Sequence, residues 1–453
     1  MTGQYASPAA KRRRLAVFVA LALGAAVSWQ GACAQSTLPA KHAPGLAQNQ
    51  APQAPQATPP GSTFEEEIVP QRYADNADVN AFIDDMVARY DFDPTALHAL
   101  FAGVSYSATA VKLVTPAPKP FPKNWRVYQA RFLDPVRINA GVKFWRQNRA
   151  TLQRAYEQFG VPPEVVVGII GVETMYGRYM GNFRALDALT TLAFDYPNTP
   201  NRAEREMTFR KNLEDYLVWT RDAQLDPTTV FGSYTGAIGI PQFLPSSIVK
   251  YAVDYEGNHH IDLRASEADA IGSVANYLAQ NGWENGRPVV WHIAVDAGSI
   301  GIAQAAADGQ PEPHWPLAQM LRAGMKLDEP NFDLAAEDST PVTVIDLPTP
   351  SQPTQYMLGL QNFYVLTRYN RSFFYALAVY ELGQRVKARI EAEDGVKQTS
   401  APVTSATPQS TPAPTAAPAP SAIAPGQPAT ENAAPAPAQS PSQQTPLEPP
   451  RPQ

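Results

Sequence analysis

Only one cysteine, Cys33, stands among 453 residues, so no disulfide framework braces this chain and an oxidising compartment would be survived without one. A basic surplus is also missing. Lys and Arg number 36 against 42 Asp and Glu, a formal net charge of −6, which lacks the electrostatic footprint that nucleic-acid binding requires; nucleic acid is not an expected partner. The apolar run from Leu15 to about Val27 falls short of the roughly 20 residues that cross a bilayer. No internal repeat is visible.

That short run has another use. Lys11, Arg12, Arg13 and Arg14 precede it and Ala32-Cys33-Ala34 follows it, the pattern of a secretory signal peptide over residues 1–34. Cleavage after Ala34 would release a soluble exported protein and remove the sole cysteine. The rival reading makes Cys33 the acylated first residue of a lipoprotein, which Gly31-Ala32-Cys33 suits and Gln30, in place of the usual aliphatic residue, does not. Only in that reading does the protein attach to a membrane.

Proline is plentiful, 45 residues, but much of it lies in two flanks. Residues 35–62 are rich in Ala, Pro, Gln and Thr, carry no aromatic side chain, and read as a disordered linker. Residues 398–453 show the same bias more strongly. With Glu431, Glu448 and Arg451 as the only charges from about Ser400 onward, this tail reads as a disordered, PPII-like spacer, either passive or a docking segment for envelope protein partners.

Between the flanks, residues 63–397 read as one folded block, mainly helical with a small β element. Phe82, Ile83, Met86, Val87 and Tyr90 recur at helical spacing, and Asp93-Pro94 opens a helix carrying Leu97, Leu100 and Phe101. Further helices are predicted at Pro135 to Phe159, Ala203 to Arg221, Ser247 to Val253, Ala268 to Asn281 and Phe373 to Glu391. Strand signals fall at Val289 to Val295, Val342 to Leu347 and Tyr356 to Leu366, where β-branched and aromatic residues cluster.

Three segments carry chemistry. In the first, Val161 to Gly177, Pro162 and Pro163 can start a helix and Gly177 can stop it, while Val165, Val166, Val167, Ile169, Ile170 and Val172 fall on every face. Glu173 is then a carboxylate near the C-terminal end of a core helix. Poor solvation and the negative end of the helix dipole both push its pKa upward, and a carboxyl protonated near neutral pH is a general acid. The alternative is an ion pair with Arg178, Arg184 or another cation. In the second segment, Gly232 to Ser247, Gly236 and Gly239 let a ligand approach the main chain, Ser233 and Gln242 offer a hydroxyl and an amide, and Ser246 or Ser247 can cap the next helix. In the third, Thr367 to Gly383, Phe374, Leu377 and Ala378 need only be core, whereas Tyr369, Asn370 and Tyr375 can line a cleft.

With Trp125-Arg126-Val127-Tyr128 and Ala270 to Tyr277, these segments resemble the membrane-bound lytic murein transglycosylase B family over about Thr63 to Arg389. The resemblance rests on Gly-Val-Glu-Thr-x-Tyr-Gly, Gly-Ala-x-Gly-x-x-Gln-Phe-x-Pro-Ser-Ser and Arg-Tyr-Asn-x-Ser, in that order. It implies a lysozyme-like helical fold that cleaves the β-1,4 bond between N-acetylmuramic acid and N-acetylglucosamine in peptidoglycan and leaves 1,6-anhydro ends. It further implies Glu173 as the single acid/base, with Tyr128, Ser233, Gln242, Tyr277, Tyr369, Asn370 and Tyr375 holding the glycan strand or steadying that carboxyl. No cofactor is required by such a reaction, and the location implied is the periplasm or, with Cys33 acylated, the outer membrane. A standard glycosidase uses two carboxylates, whereas one lies in the matching motif here. A hydrolytic muramidase and a non-catalytic peptidoglycan-binding envelope protein are the alternatives.

Asp254 to Asp262, followed by Asp269, resembles an EF-hand-like calcium loop that this family can carry. Asp254, Glu256, Asn258, the His260 carbonyl and Asp269 would hold a structural calcium. His259 at the usual glycine position and Ala265 in place of a bidentate Glu leave a solvated polar turn as the second reading. His259 and His260 have no neighbouring ligand set that zinc would need.

Overall fold

Helix dominates the computed structural model, which describes residues 72–116, 122–329, 332, 333, 337 and 339–399. The signal-peptide and linker expectations, Cys33, and the tail beyond Thr399 lie outside the described residues. In chain order the helices are α1 Ala77–Tyr90, α2 Pro94–Ala102, α3 Ala108–Val114, α4 Trp125–Ala130, α5 Pro135–Gln147, α6 Arg149–Phe159, α7 Pro163–Thr174 and α8 Ala185–Phe194. Then follow α9 Arg202–Asp222, α10 Pro245–Tyr251, α11 Glu267–Gln280, α12 Ala297–Ala306, α13 Leu317–Arg322, α14 Gln361–Tyr369 and α15 Phe373–Thr399. Many start on a side-chain oxygen that accepts otherwise orphaned N–H groups, as Asn76, Asp93, Ser107, Asn124, Asp134 and Ser266 do.

Strands are few. β1, Phe183–Arg184, pairs antiparallel with β2, Phe231–Gly232, and a separate antiparallel sheet has the order β3-β6-β5-β4, from Val290–His292, Gln352–Gly359, Pro341–Thr349 and Trp315–Pro316. In that sheet Val344 stands opposite Leu358, and both point into a small apolar cluster with Trp291, Leu317 and Met320.

Three expectations are corrected. The helix predicted from Pro135 to Phe159 is two, broken at Asn148, whose side-chain amide turns back to the Phe144 carbonyl (3.0 Å) and reaches Glu267 (2.6 Å). The strand signal from Tyr356 to Leu366 ends at Gly359, after which the same residue types form α14, because apolar aromatic runs fit either element until their partners decide. Neither Ser246 nor Ser247 caps α10; Pro245 is its first residue, and the Ser246 N–H donates to Asn212 (3.1 Å).

The arrangement that positions the site is α7 against α15. Every residue of α7 from Glu164 to Val172 is buried, as expected for a helix apolar on all faces, and α5, α6, α11 and α15 surround it. Each fully buried Val or Ile contributes roughly 1.5–3 kcal/mol through burial. Small residues allow close contact at two points: a methyl group at Gly168 would collide with the Val379 carbonyl, and one at Gly383 with the Glu164 carbonyl. The two helices therefore run antiparallel, and the start of α15 lies opposite the end of α7.

Candidate active site

Two carboxylates at opposite ends of α7 have different surroundings. Glu164, in the first turn, is 8% exposed, pairs with Lys387 (2.8 Å) and sits at the positive end of the dipole. Glu173, in the last turn, has no ion pair among the described residues, and the Tyr375 hydroxyl donates its one side-chain hydrogen bond, at 2.5 Å. The ion-pair alternative therefore does not hold: Arg184 bonds Asp187 (2.7 Å) and the Gly103 carbonyl (3.0 Å) instead. Glu173 keeps a partial opening to solvent, yet protein crowds its carboxyl closely. Burial pushes that carboxyl from 4.5 up to about 7, and the Tyr375 hydroxyl pulls against this rise. No neighbouring charge contributes, so desolvation alone accounts for the rise.

The backbone turns sharply just after the acid. α7 ends at Thr174 rather than running to Gly177, because Met175 (φ 50°), Tyr176 (φ 61°) and Gly177 (φ 80°) are all left-handed. The Met175 and Tyr176 N–H groups satisfy the last-turn carbonyls of Gly171 and Ile170. Arg137 donates to the Gly171 carbonyl as well, placing a cation at the negative end of the helix. Thr174, 1% exposed, links the turn to the glycine-rich loop: its hydroxyl donates to the Ile240 carbonyl (2.8 Å) and accepts from the Gly177 N–H (3.0 Å). Sequence reasoning quoted Thr174 within a motif but gave it no role, and nothing in the sequence marked Arg137.

The loop expectations fall into two groups. Gln242, itself left-handed (φ 51°), donates its side-chain amide to the carbonyls of Met180 (3.1 Å) and Gly239 (2.9 Å), so it ties the loop to the segment leaving the α7 turn. Ser233 braces its own loop by accepting from the Ala237 N–H (3.0 Å) and contacting Thr235 (3.0 Å). Tyr128, Tyr369 and Tyr375 gather around Glu173 closely enough that its charge, after burial, raises all three phenols; Tyr128 is pushed up to about 12. Tyr369 stacks on Tyr375 at 6.4 Å, with its hydroxyl on the Pro241 carbonyl (2.6 Å), and Tyr128 packs against Trp125 and Phe374. Tyr277 stands behind Tyr369 and donates to the Arg368 carbonyl (2.6 Å), supporting the wall from within. Asn370 lies at the junction of α14 and α15, where its backbone carbonyl accepts from Ser372 (2.7 Å).

A carboxyl about half protonated near neutral pH, aligned by one phenol in an aromatic setting, can donate a proton and can take one back. The same architecture recurs in known proteins. Residues 74–384 match the family model described as the transglycosylase SLT domain. The chain belongs to this family. The transglycosylase is 40% identical over 331 residues to membrane-bound lytic murein transglycosylase B of Escherichia coli (strain K12), covering 70% of this chain and 85% of that protein. The E. coli lytic transglycosylase Slt35 in complex with calcium matches at 36% identity and TM-score 0.61, over 73% of this chain and 98% of its own. SltB3 from Pseudomonas aeruginosa in complex with NAG-anhNAM-pentapeptide matches at 27% identity and TM-score 0.58, over 68% and 78%. The fold is thus the lysozyme-like one of lytic transglycosylases, and the transglycosylase is an enzyme of that class.

The polar loop uses its carboxylates internally. Asp254 accepts from the N–H groups of Gly257 (2.7 Å), Asn258 (3.1 Å) and His259 (2.6 Å). Asp269, fully buried, accepts from Tyr255 (2.7 Å), Glu256 (3.1 Å) and Asp262 (2.8 Å). Asn258 accepts from the His260 N–H (2.9 Å) and donates to Glu256 (3.0 Å). Among the described residues no three His, Cys, Asp or Glu side chains form a cluster, but the expected calcium set of Asp254, Glu256, Asn258, the His260 carbonyl and Asp269 draws on an amide and a main-chain oxygen as well. His259 takes the left-handed conformation (φ 66°) that a glycine would supply in a full EF-hand.

Proposed function

We propose that this transglycosylase cleaves the β-1,4 bond between N-acetylmuramic acid and N-acetylglucosamine in peptidoglycan glycan strands without water, leaving 1,6-anhydro ends, with Glu173 as its only acid and base. The observation that supports this reading is a single carboxyl held near pKa 7 by burial, with a phenol as its one hydrogen-bonding side chain. Glu173 in its neutral form protonates the glycosidic oxygen, and the C–O bond to the muramoyl C1 breaks. The substrate's own N-acetyl carbonyl stabilises the oxocarbenium-like carbon. The carboxylate, still receiving the Tyr375 hydroxyl, then takes the proton from the C6 hydroxyl of the same sugar as that oxygen bonds to C1. A two-carboxylate hydrolase would need a second acid placed to activate water or attack C1. Among the described residues no carboxylate perturbs Glu173, which favours the intramolecular route and the large effective molarity it commands.

Proton transfer of this kind needs no cofactor, and a structural calcium in the polar loop would be held by Asp254, Glu256, Asn258, the His260 carbonyl and Asp269. The reading places the enzyme in the cell envelope, exported by residues 1–34 to the periplasm, with outer-membrane attachment only if Cys33 is acylated. Mass spectrometry of muropeptides released from purified sacculi tests it. The products should be one water lighter than their hydrolysed counterparts, and the Glu173→Gln variant should release none; reducing-end products from the unaltered enzyme would overturn ring closure, and turnover by the variant would overturn the role of Glu173.

A further inference from the structure

The strand pair beside the glycine-rich loop borders a groove of about 710 Å³ between α3, β1, β2 and the start of α8. Phe183, Phe231, Leu113, Asn182 and Thr109 are among the residues that line it. Two large apolar side chains stand open there, Phe231 at 51% and Leu113 at 47% exposure. Phe183 is fixed edge-on against Tyr234, with ring centroids 6.3 Å apart at 69°. Asn182 and Thr109 are exposed polar neighbours. An aromatic face bordered by an amide and a hydroxyl suits a sugar ring, which has an apolar C–H face and a polar rim.

Continuity with the active site comes from the backbone. Gln242 is bonded to the Met180 carbonyl at 3.1 Å, and Phe183, the first residue of β1, follows three residues further along the chain. Gly232 pairs with Phe183 and directly precedes Ser233, so both strands lead from the loop to the groove. We propose that Phe231, with Leu113, forms a platform on which a sugar of the glycan strand stacks at a distance from the bond being cleaved, giving the enzyme a grip on long strands that short fragments cannot use, while Phe183, on the other face of the strand pair, anchors the ribbon on Tyr234. This rests on the peptidoglycan reading above.

The test measures binding in the Glu173→Gln background, where turnover does not intrude, to purified sacculi and to a soluble tetrasaccharide of the same repeat. Covering the open half of a phenyl ring corresponds to roughly a fivefold change in affinity. Adding Phe231→Ala should weaken sacculus binding by about that factor and tetrasaccharide binding by less, and Phe231→Trp should restore it. Leu113→Ser, on the opposite wall, should reproduce the strand-length dependence. Unchanged sacculus affinity, or equal losses on both ligands, would overturn the platform. Anhydro products from the unaltered enzyme are read separately: their absence alongside Phe231-dependent binding would sink the proposed reaction and leave the platform standing.

Discussion

Replacing Glu173 with Gln should make the protein more stable at pH 8 while abolishing its chemistry. The carboxyl has an ordinary value of 4.5 in the unfolded chain and about 7 in the folded one. The folded state therefore holds this proton more tightly, so the group's contribution to stability is fully present below pH 4.5 and is lost as pH rises through about 7. At about 1.4 kcal/mol per pH unit, the gap between the two values corresponds to about 3 kcal/mol at most, reached at pH 8, where the native state must carry an ionised carboxylate in a poorly solvated place. Glutamine keeps the shape and still accepts from Tyr375, but it has no charge to desolvate. Urea unfolding of the two proteins at pH 4 and pH 8 should give near-equal stabilities at the lower pH and an advantage to the variant at the higher one. Equal stabilities at pH 8, or an advantage to the unaltered protein, would mean that the carboxyl is not raised in the folded state, and the acid would need another origin for its proton.

Removal of the hydroxyl in Tyr375→Phe takes away the one bond that favours the charged form of Glu173, so the alkaline limb of the activity profile should move to higher pH. Turnover should fall about tenfold as the carboxylate loses its aligning donor; an unmoved limb would show that Tyr375 does not reach the acid in solution. Thr174→Val leaves the Ile240 carbonyl and Gly177 N–H unpaired and should cost roughly 2 kcal/mol in denaturant unfolding, with Thr174→Ser recovering most of it. Asp269→Ala removes the acceptor of three backbone N–H bonds from a fully buried site and should cost about 3 kcal/mol. Adding calcium to chelator-treated protein should raise its melting temperature where the polar loop holds the ion, and the absence of any thermal shift would leave that loop a polar turn braced by Asp254 and Asp269 alone.

The acid was legible because a carboxylate inside a run of Val and Ile contradicts every purely structural reason for the run. What surrounds it was legible only by type. Tyr369 read as a polar tip for a cleft and Tyr277 as a cleft residue only through the family resemblance, yet their hydroxyls go to the carbonyls of Pro241 and Arg368, partners 128 and 91 residues away that periodicity cannot anticipate. Helix α8 was missed for a related reason: with Ala185 to Phe194 all buried except Asp187, it has no polar face to mark its period. The four-stranded sheet was legible in three of its strands, and the fourth, two residues at Trp315–Pro316, is too short to show any alternation.

Why the acid sits at the end of a helix rather than within it follows from the turn behind it. Two residues with side chains, Met175 and Tyr176, are held left-handed, a conformation that costs roughly 1 kcal/mol or more each and persists only where the surroundings enforce it. Tyr176 shows how: its ring packs on Phe144 (5.2 Å), and its buried hydroxyl, without a hydrogen-bond partner among the described residues, occupies space that side chains at Gly141 and Gly171 would fill. The strain stops α7 one residue after Glu173. That leaves Thr174 free to bond the Ile240 carbonyl and brings the chain back past Gln242 toward the strands. A helix carried on to Gly177 would bury the carboxyl among further turns. Ended at Thr174, it keeps Glu173 poorly solvated yet reachable from one side, and both conditions are needed for a proton that is retained near neutral pH and still delivered to a substrate.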